Sequence, residues 1–103
     1  MKIEFLPEAD EEFREAARYY ESEAAGVGVA FIVAVHRAAA EVADAPLAAQ
    51  LIRSGIHRKV LRHFPYSLFY AVEVDTIVIV SVAHQRRRPG YWHSRFSKRT
   101  NRP

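Results

Sequence analysis

Hydrophobic and polar positions change their period twice along this chain of 103 residues, and the changes mark its elements. Over residues 2–6, Ile3 and Phe5 alternate with Lys2 and Glu4 and a proline follows, which predicts a short first strand. From Pro7 the period becomes helical, with Ala9, Phe13, Ala16, Ala17, Tyr20 and Ala24 three and four apart. Pro7 suits a first helical position, and Glu8, Asp10, Glu11 and Glu12 crowd the first turn, where the helix dipole favours negative charge. The apolar face is expected inward and the acids on the opposite, solvated face. Gly26 and Gly28 interrupt this run. A second helix follows over about residues 29–44, with Phe31, Ile32, Val35, Ala39 and Val42 on one stripe and Pro46 beyond its end. The alanine-rich faces predict a helical hairpin with closely approaching backbones.

After Gly55 the period shortens. Residues 56–64, 66–74 and 76–83 are rich in β-branched and aromatic side chains and predict three strands. The break at Asp75-Thr76 allows only a tight hairpin, so these strands form an antiparallel meander, with the first strand beside them. The last strand, apolar at nearly every position, is expected to be central. The predicted fold class is α+β, in the order β-α-α-β-β-β, a helical hairpin packed on a small antiparallel sheet. A single domain covers residues 1–96, and residues 97–103 form a basic, flexible tail.

Composition fits one globular domain, half hydrophobic and 26% charged, with no cysteine for disulfides or thiolate metal sites. No apolar run is long enough for a signal peptide or a membrane span, so no membrane partner is expected and the cytosol is the expected compartment. Charge changes the picture more. Residues 1–24 carry three cations against eight acids, whereas residues 53–103 carry eleven cations against Glu73 and Asp75 alone. Such a half attracts phosphate backbones or acidic protein surfaces, although solubility alone would also account for it.

Candidate chemistry concentrates at the exit of the last strand. There His84, Arg86, Arg87 and Arg88 precede Tyr91, Trp92 and Arg95, bringing cations and aromatic faces together. The cluster suits RNA, through guanidinium–phosphate pairs and base stacking, and suits an acidic protein groove equally well. Alternatively Tyr91 and Trp92 fold back onto the core and the arginines are solvated. A second cationic group, His57, Arg58, Lys59, Arg62 and His63, lies on the first meander strand. Alternation places His57, Lys59 and His63 on one face and Arg58 and Arg62 on the other. Part of this set is expected near Arg86, and it could equally be the charge that protects a sheet edge. The five histidines have no helical i, i+4 pair, paired carboxylates are scarce, and none of the four glycines forms a phosphate-cradling motif. No metal site or cofactor is expected.

The predicted element order, Phe64-Pro65-Tyr66 before a strand containing Tyr70, and above all Val82-Ala83-His84-Gln85-Arg86-Arg87-Arg88-Pro89-Gly90-Tyr91-Trp92 with Arg95, resemble the RelE/ParE superfamily of bacterial toxins. The resemblance covers about residues 2–96. It implies the toxin of a type II toxin–antitoxin system, in a hetero-oligomer with a cognate antitoxin that wraps the hairpin and sheet. Phe13, Tyr20, Phe31 and Val35 are then the antitoxin-binding residues. It also implies one of two targets. A ParE-like member binds DNA gyrase without catalysis, through His84, Arg86, Arg87, Arg88, Tyr91, Trp92 and Arg95. A RelE-like member is a metal-independent endoribonuclease acting on mRNA at the ribosome. In that case Arg62 would orient phosphate, Arg86 would stabilise the transition state, Tyr91 would stack or move a proton, and His84 would be the candidate base. The histidine, the arginine run and Pro-Gly-Tyr-Trp favour the gyrase branch. A basic binding module without toxicity is the third reading.

Overall fold

In a computed structural model describing residues 1–95, the alternating N-terminal segment forms β1 (Lys2–Phe5) and the helical periods form α1 (Pro7–Glu23) and α2 (Val27–Asp44). The basic tail predicted over 97–103 lies outside the described residues. Pro7 opens α1, and Glu8 and Asp10 occupy its first turn. No acid of α2 occupies its own first turn, and the charge is supplied from the neighbouring helix. Glu21 of α1 accepts the backbone N–H of Gly26 at 3.0–3.1 Å and that of Gly28 at 3.0 Å, so one carboxylate caps the start of α2. Gly26 turns the chain there with φ of 89°.

Gly28 sets how closely the helices approach. A Cβ at this position would stand 2.6 Å from the Ala17 carbonyl oxygen and 2.8 Å from the Glu21 Cβ. Gly28→Ala must therefore spread the hairpin and disturb the Glu21 cap, at an expected cost of about 1–3 kcal/mol. A midpoint roughly 5–15 °C lower is expected in thermal unfolding, and an unchanged midpoint would refute the close approach.

The sheet has five strands in the order β1-β5-β4-β3-β2, so the chain adds one strand to the predicted order. The addition is β2 (Gln50–Arg53), joined to β3 (Ile56–Val60) through Ser54 and Gly55. Their φ values of 53° and 77° are the positive angles of a two-residue hairpin. β3 stops at Val60, short of the predicted Phe64. His63 adopts φ of 67°, and Phe64 leaves the strand to pack edge-on against Phe31 and Tyr20, with ring centroids 5.2 and 5.0 Å apart. β4 (Tyr66–Val72) and β5 (Thr76–His84) complete the meander. β1 runs parallel to β5, pairing Lys2 with Thr76 and Phe5 with Ile79, which makes the sheet mixed rather than wholly antiparallel. β5 is interior, between β1 and β4, while β4 holds the midpoint. Every residue from Ile77 to Ala83 is buried.

The core fills the space between the hairpin and the sheet. Phe31 and Val35 are fully buried within it, so two of the four residues expected to face an antitoxin are core residues instead. Phe13 and Tyr20 are half-buried in the adjoining aromatic cluster, where Tyr20 lies 5.3 Å from Phe31. The large apolar side chains that α2 leaves exposed are Val29, Ile32 and Val33. Among the described residues, no helix is long and apolar enough to cross a membrane.

Candidate partner-binding site

β5 carries the functional segment to one end of the sheet through a bulge. Phe69 pairs with Ser81 and Tyr70 with Ile79, leaving Val80 as the extra residue of β5. Backbone pairing with the N-terminal strand ends where Leu6 N–H donates to Ile79 O. Beyond that point side chains take over. Val82 N–H donates to Glu12 Oε1 at 3.0 Å, and Arg95 Nη1 donates to Val80 O at 3.2 Å. Glu12 and Arg95 are themselves paired in a fork, at 2.9 and 3.0 Å, with side chains only 17% and 16% exposed. The Tyr91 hydroxyl donates to Glu12 Oε2 and lies 2.8 Å from Ser81 Oγ. A helix, a strand and the C-terminal turn thus meet on one carboxylate.

The sequence places Glu12 with the solvated acids, but it sits three residues after Ala9 and four before Ala16, both buried. An acid on the apolar stripe was the legible signal of a buried partner. Arg95 and Trp92, expected to face a target, turn inward. Trp92 is 2% exposed and packs on Phe69 with centroids 4.9 Å apart. The half-buried Tyr91 has the Arg87 guanidinium 3.9 Å above its ring centroid. Of the predicted target-facing set, Arg86, Arg87 and Arg88 are exposed. His84 is half-buried against Tyr66, and its Nδ1 accepts the Arg86 N–H at 3.0 Å.

Burial lifts the Tyr91 pKa above its ordinary 10.0, and the Glu12 bond lifts it further. Tyr20, Tyr66 and Tyr70 are raised chiefly by burial as well. A phenol with a raised folded pKa keeps its proton after the unfolded chain has released its own, so its stabilising contribution is complete below about pH 10 and declines above it. Native tyrosinate absorbance is therefore expected to rise late for these four residues, alongside falling denaturant resistance above pH 10. A single native transition of all the tyrosines at about 10 would refute this.

The acids sort the cations into two groups. Arg14 pairs with Asp10 at 2.8 Å, Arg18 with Glu11 at 3.3 Å, Lys59 with Glu41 at 3.0 Å and Arg62 with Glu41 at 3.9 Å. Lys59 and Arg62 line a groove against α2 with Val33, Val60 and Arg37. His57, on the same face as Lys59, is buried, with its ring stacked on Tyr70 at 5.2 Å and Nδ1 3.1 Å from Ala49 O. It supports the fold. His63 lies in the turn after β3, off the strand face the alternation assigns to it.

Arg58, which alternates with Lys59 along β3, donates to Gln50 Oε1 at 2.8 Å. Together with Arg53, Arg87 and Arg88 it lines a groove of about 430 Å³ that also takes in Ile52, Phe69 and Trp92. Arg53, which the sequence reading did not single out, reaches the loop after β5. A Cβ on Gly90 would stand 2.5 Å from its Nη2, and Gly90 has φ of 77°. Among the described residues, Arg53, Arg58, Arg87 and Arg88 have no carboxylate partner. Arg62 lines the groove beside α2, whereas His84 and Tyr91 line the grooves at the exit of β5. No group of three or more metal-ligating side chains occurs among the described residues.

Comparison with known proteins yields no match among curated proteins. Among solved structures, a chain of the chromosomal ParDE toxin–antitoxin system from P. aeruginosa superposes with a TM-score of 0.60 at 14% identity. The match covers 82% of this chain and 95% of that one, and bears on fold alone. A family model, the ParE toxin of the type II toxin–antitoxin system parDE, matches residues 3–89, taking in both helices, the sheet from Ile3 onward and the arginine run. The chain belongs to the ParE toxin family.

Proposed function

We propose that this protein inhibits growth by binding DNA gyrase without catalysis and is neutralised by a cognate antitoxin. Membership of the ParE family supports the toxin role, and one observation favours binding over RNA cleavage. The Tyr91 hydroxyl, which a nuclease of the related branch would need free, is bonded to the half-buried Glu12, and Arg62 lines a different groove. The cations left for a target are the unpaired arginines of the open sheet face.

The antitoxin is assigned to the opposite side. Val29, Ile32 and Val33 of α2 are exposed, and Arg37, Lys59 and Arg62 border a groove that Val33 and Val60 also line. An amphipathic acidic segment laid along α2 would cover these apolar groups and meet the cations. This replaces Phe31 and Val35 as direct contacts.

The test is expression with and without the neighbouring reading frame, followed by supercoiling assays with purified gyrase. Growth arrest relieved by the neighbour, stalled supercoiling and intact mRNA are expected. Ribosome-dependent mRNA cuts abolished by Arg86→Ala would overturn the reading, and so would unimpaired growth.

A further inference from the structure

We propose that the open-face groove binds an extended acidic peptide segment carrying an apolar anchor, read by Arg53, Arg58, Arg87 and Arg88. The inference deepens the binding function above, since it names the chemistry the target would present, but it can be tested without that target.

Charge complementarity supplies the first argument. Four guanidinium groups line one groove, no acidic side chain lines it, and none of the four has a carboxylate partner among the described residues. The acids near other cations are engaged elsewhere, by Arg14, Arg18, Lys59, Arg62 and Arg95. The chain's own residues 96–103 include Lys98, Arg99 and Arg102 and no acid, so they offer no counter-charge. All four cations of the groove are arginines, whose planar forks match carboxylate oxygens in pairs.

The lining supplies the second argument and separates peptide from nucleic acid, which would also satisfy the charges. Apolar groups of Ile52 and Phe69 line the groove beside the arginines. A phosphodiester backbone leaves such surface uncovered, and bases would need a free aromatic face. The three rings that line the groove, Phe69, Tyr91 and Trp92, are already engaged. Trp92 is packed on Phe69 and only 2% exposed, and the Tyr91 ring is covered by Arg87. An aliphatic or aromatic anchor flanked by carboxylates fills the apolar part and pairs the charges.

The experiment is fluorescence anisotropy with the full chain and a labelled peptide holding a leucine–phenylalanine pair between glutamate runs. Comparison probes are the same peptide with alanines in place of the pair and a single-stranded oligonucleotide of equal charge. Saturable binding is expected, weakened about tenfold or more by Arg58→Ser with Arg88→Ser, which amounts to about 1.4 kcal/mol. The alanine peptide is expected to bind more weakly, and Arg14→Ser with Arg18→Ser, removing two paired cations from α1, to leave affinity unchanged. Circular dichroism checks that both double variants fold. Equal loss in both double variants, equal binding of the alanine peptide, or displacement by the oligonucleotide at lower concentration would each overturn the proposal. Absence of any saturable binding would overturn it as well. Peptide binding without gyrase inhibition would leave the groove's chemistry standing and remove the proposed target. Gyrase inhibition untouched by Arg58→Ser with Arg88→Ser, in a protein that does not bind the peptide, would do the reverse.

Discussion

Replacing Glu12 with alanine is expected to destabilise the fold by about 3–5 kcal/mol, a large share of what a domain of this size possesses. The carboxylate accepts from five donors: both Arg95 terminal nitrogens, the Tyr91 hydroxyl, Ser81 Oγ and the Val82 N–H. Its removal strands a guanidinium that is 16% exposed and a backbone donor on a buried strand. Glu12→Gln keeps an acceptor but loses the charge, and is expected to cost less. Replacing both partners, as Glu12→Leu with Arg95→Met, removes the stranded charge and is expected to recover much of the loss. Denaturant unfolding measures these proteins together with the single variants Glu12→Leu and Arg95→Met. A loss below about 1 kcal/mol for Glu12→Ala, or a double variant as unstable as the sum of its singles, would contradict this account.

Trp92→Ala is expected to cost a similar amount, about 3–5 kcal/mol, by a different route. The indole is 2% exposed and packs on Phe69, so truncation opens a cavity beneath the C-terminal turn. Trp92→Phe keeps a ring against Phe69 and is expected to retain more than half of the stability. Because Trp92 is the only tryptophan, its emission reports the docking of this turn directly. In the native protein the emission and the far-ultraviolet signal are expected to be lost together on unfolding. If emission shifted first, the turn would be a separately melting unit, and the large cost assigned to Trp92→Ala would be wrong.

The two helices and the strands of the meander were legible because each buries one face, and burial writes its period into the residues. β2 was not. Gln50–Arg53 is four exposed residues with no inward side to mark. Its clue lay in Ser54-Gly55 between two apolar stretches, a short-hairpin signal that the alanine- and proline-rich segment before it obscured. The parallel seating of β1 beside β5 is set by the hairpin that separates them in sequence, not by any local pattern. The arginine run was visible as charge, but which arginines stay free was not. Arg95 lies 83 residues from Glu12, and Lys59 and Arg62 take the same Glu41 from a neighbouring element. Such pairing is decided by tertiary contact alone. The alternative reading of Tyr91 and Trp92, folded back onto the core, is the one the packing realises.

β2 also ends the sheet on that side. Among the described residues its outer backbone groups face no further strand, it contains no proline, and Leu51 and Ile52 are exposed along it. Such a border invites lateral growth by another copy, which the charges of Arg53 and Arg58 would oppose at close range. Added salt weakens that repulsion and leaves the hydrogen-bonding row intact. Concentrated preparations of the isolated chain should therefore self-associate more readily as ionic strength rises, against the usual solubilising trend for a basic protein.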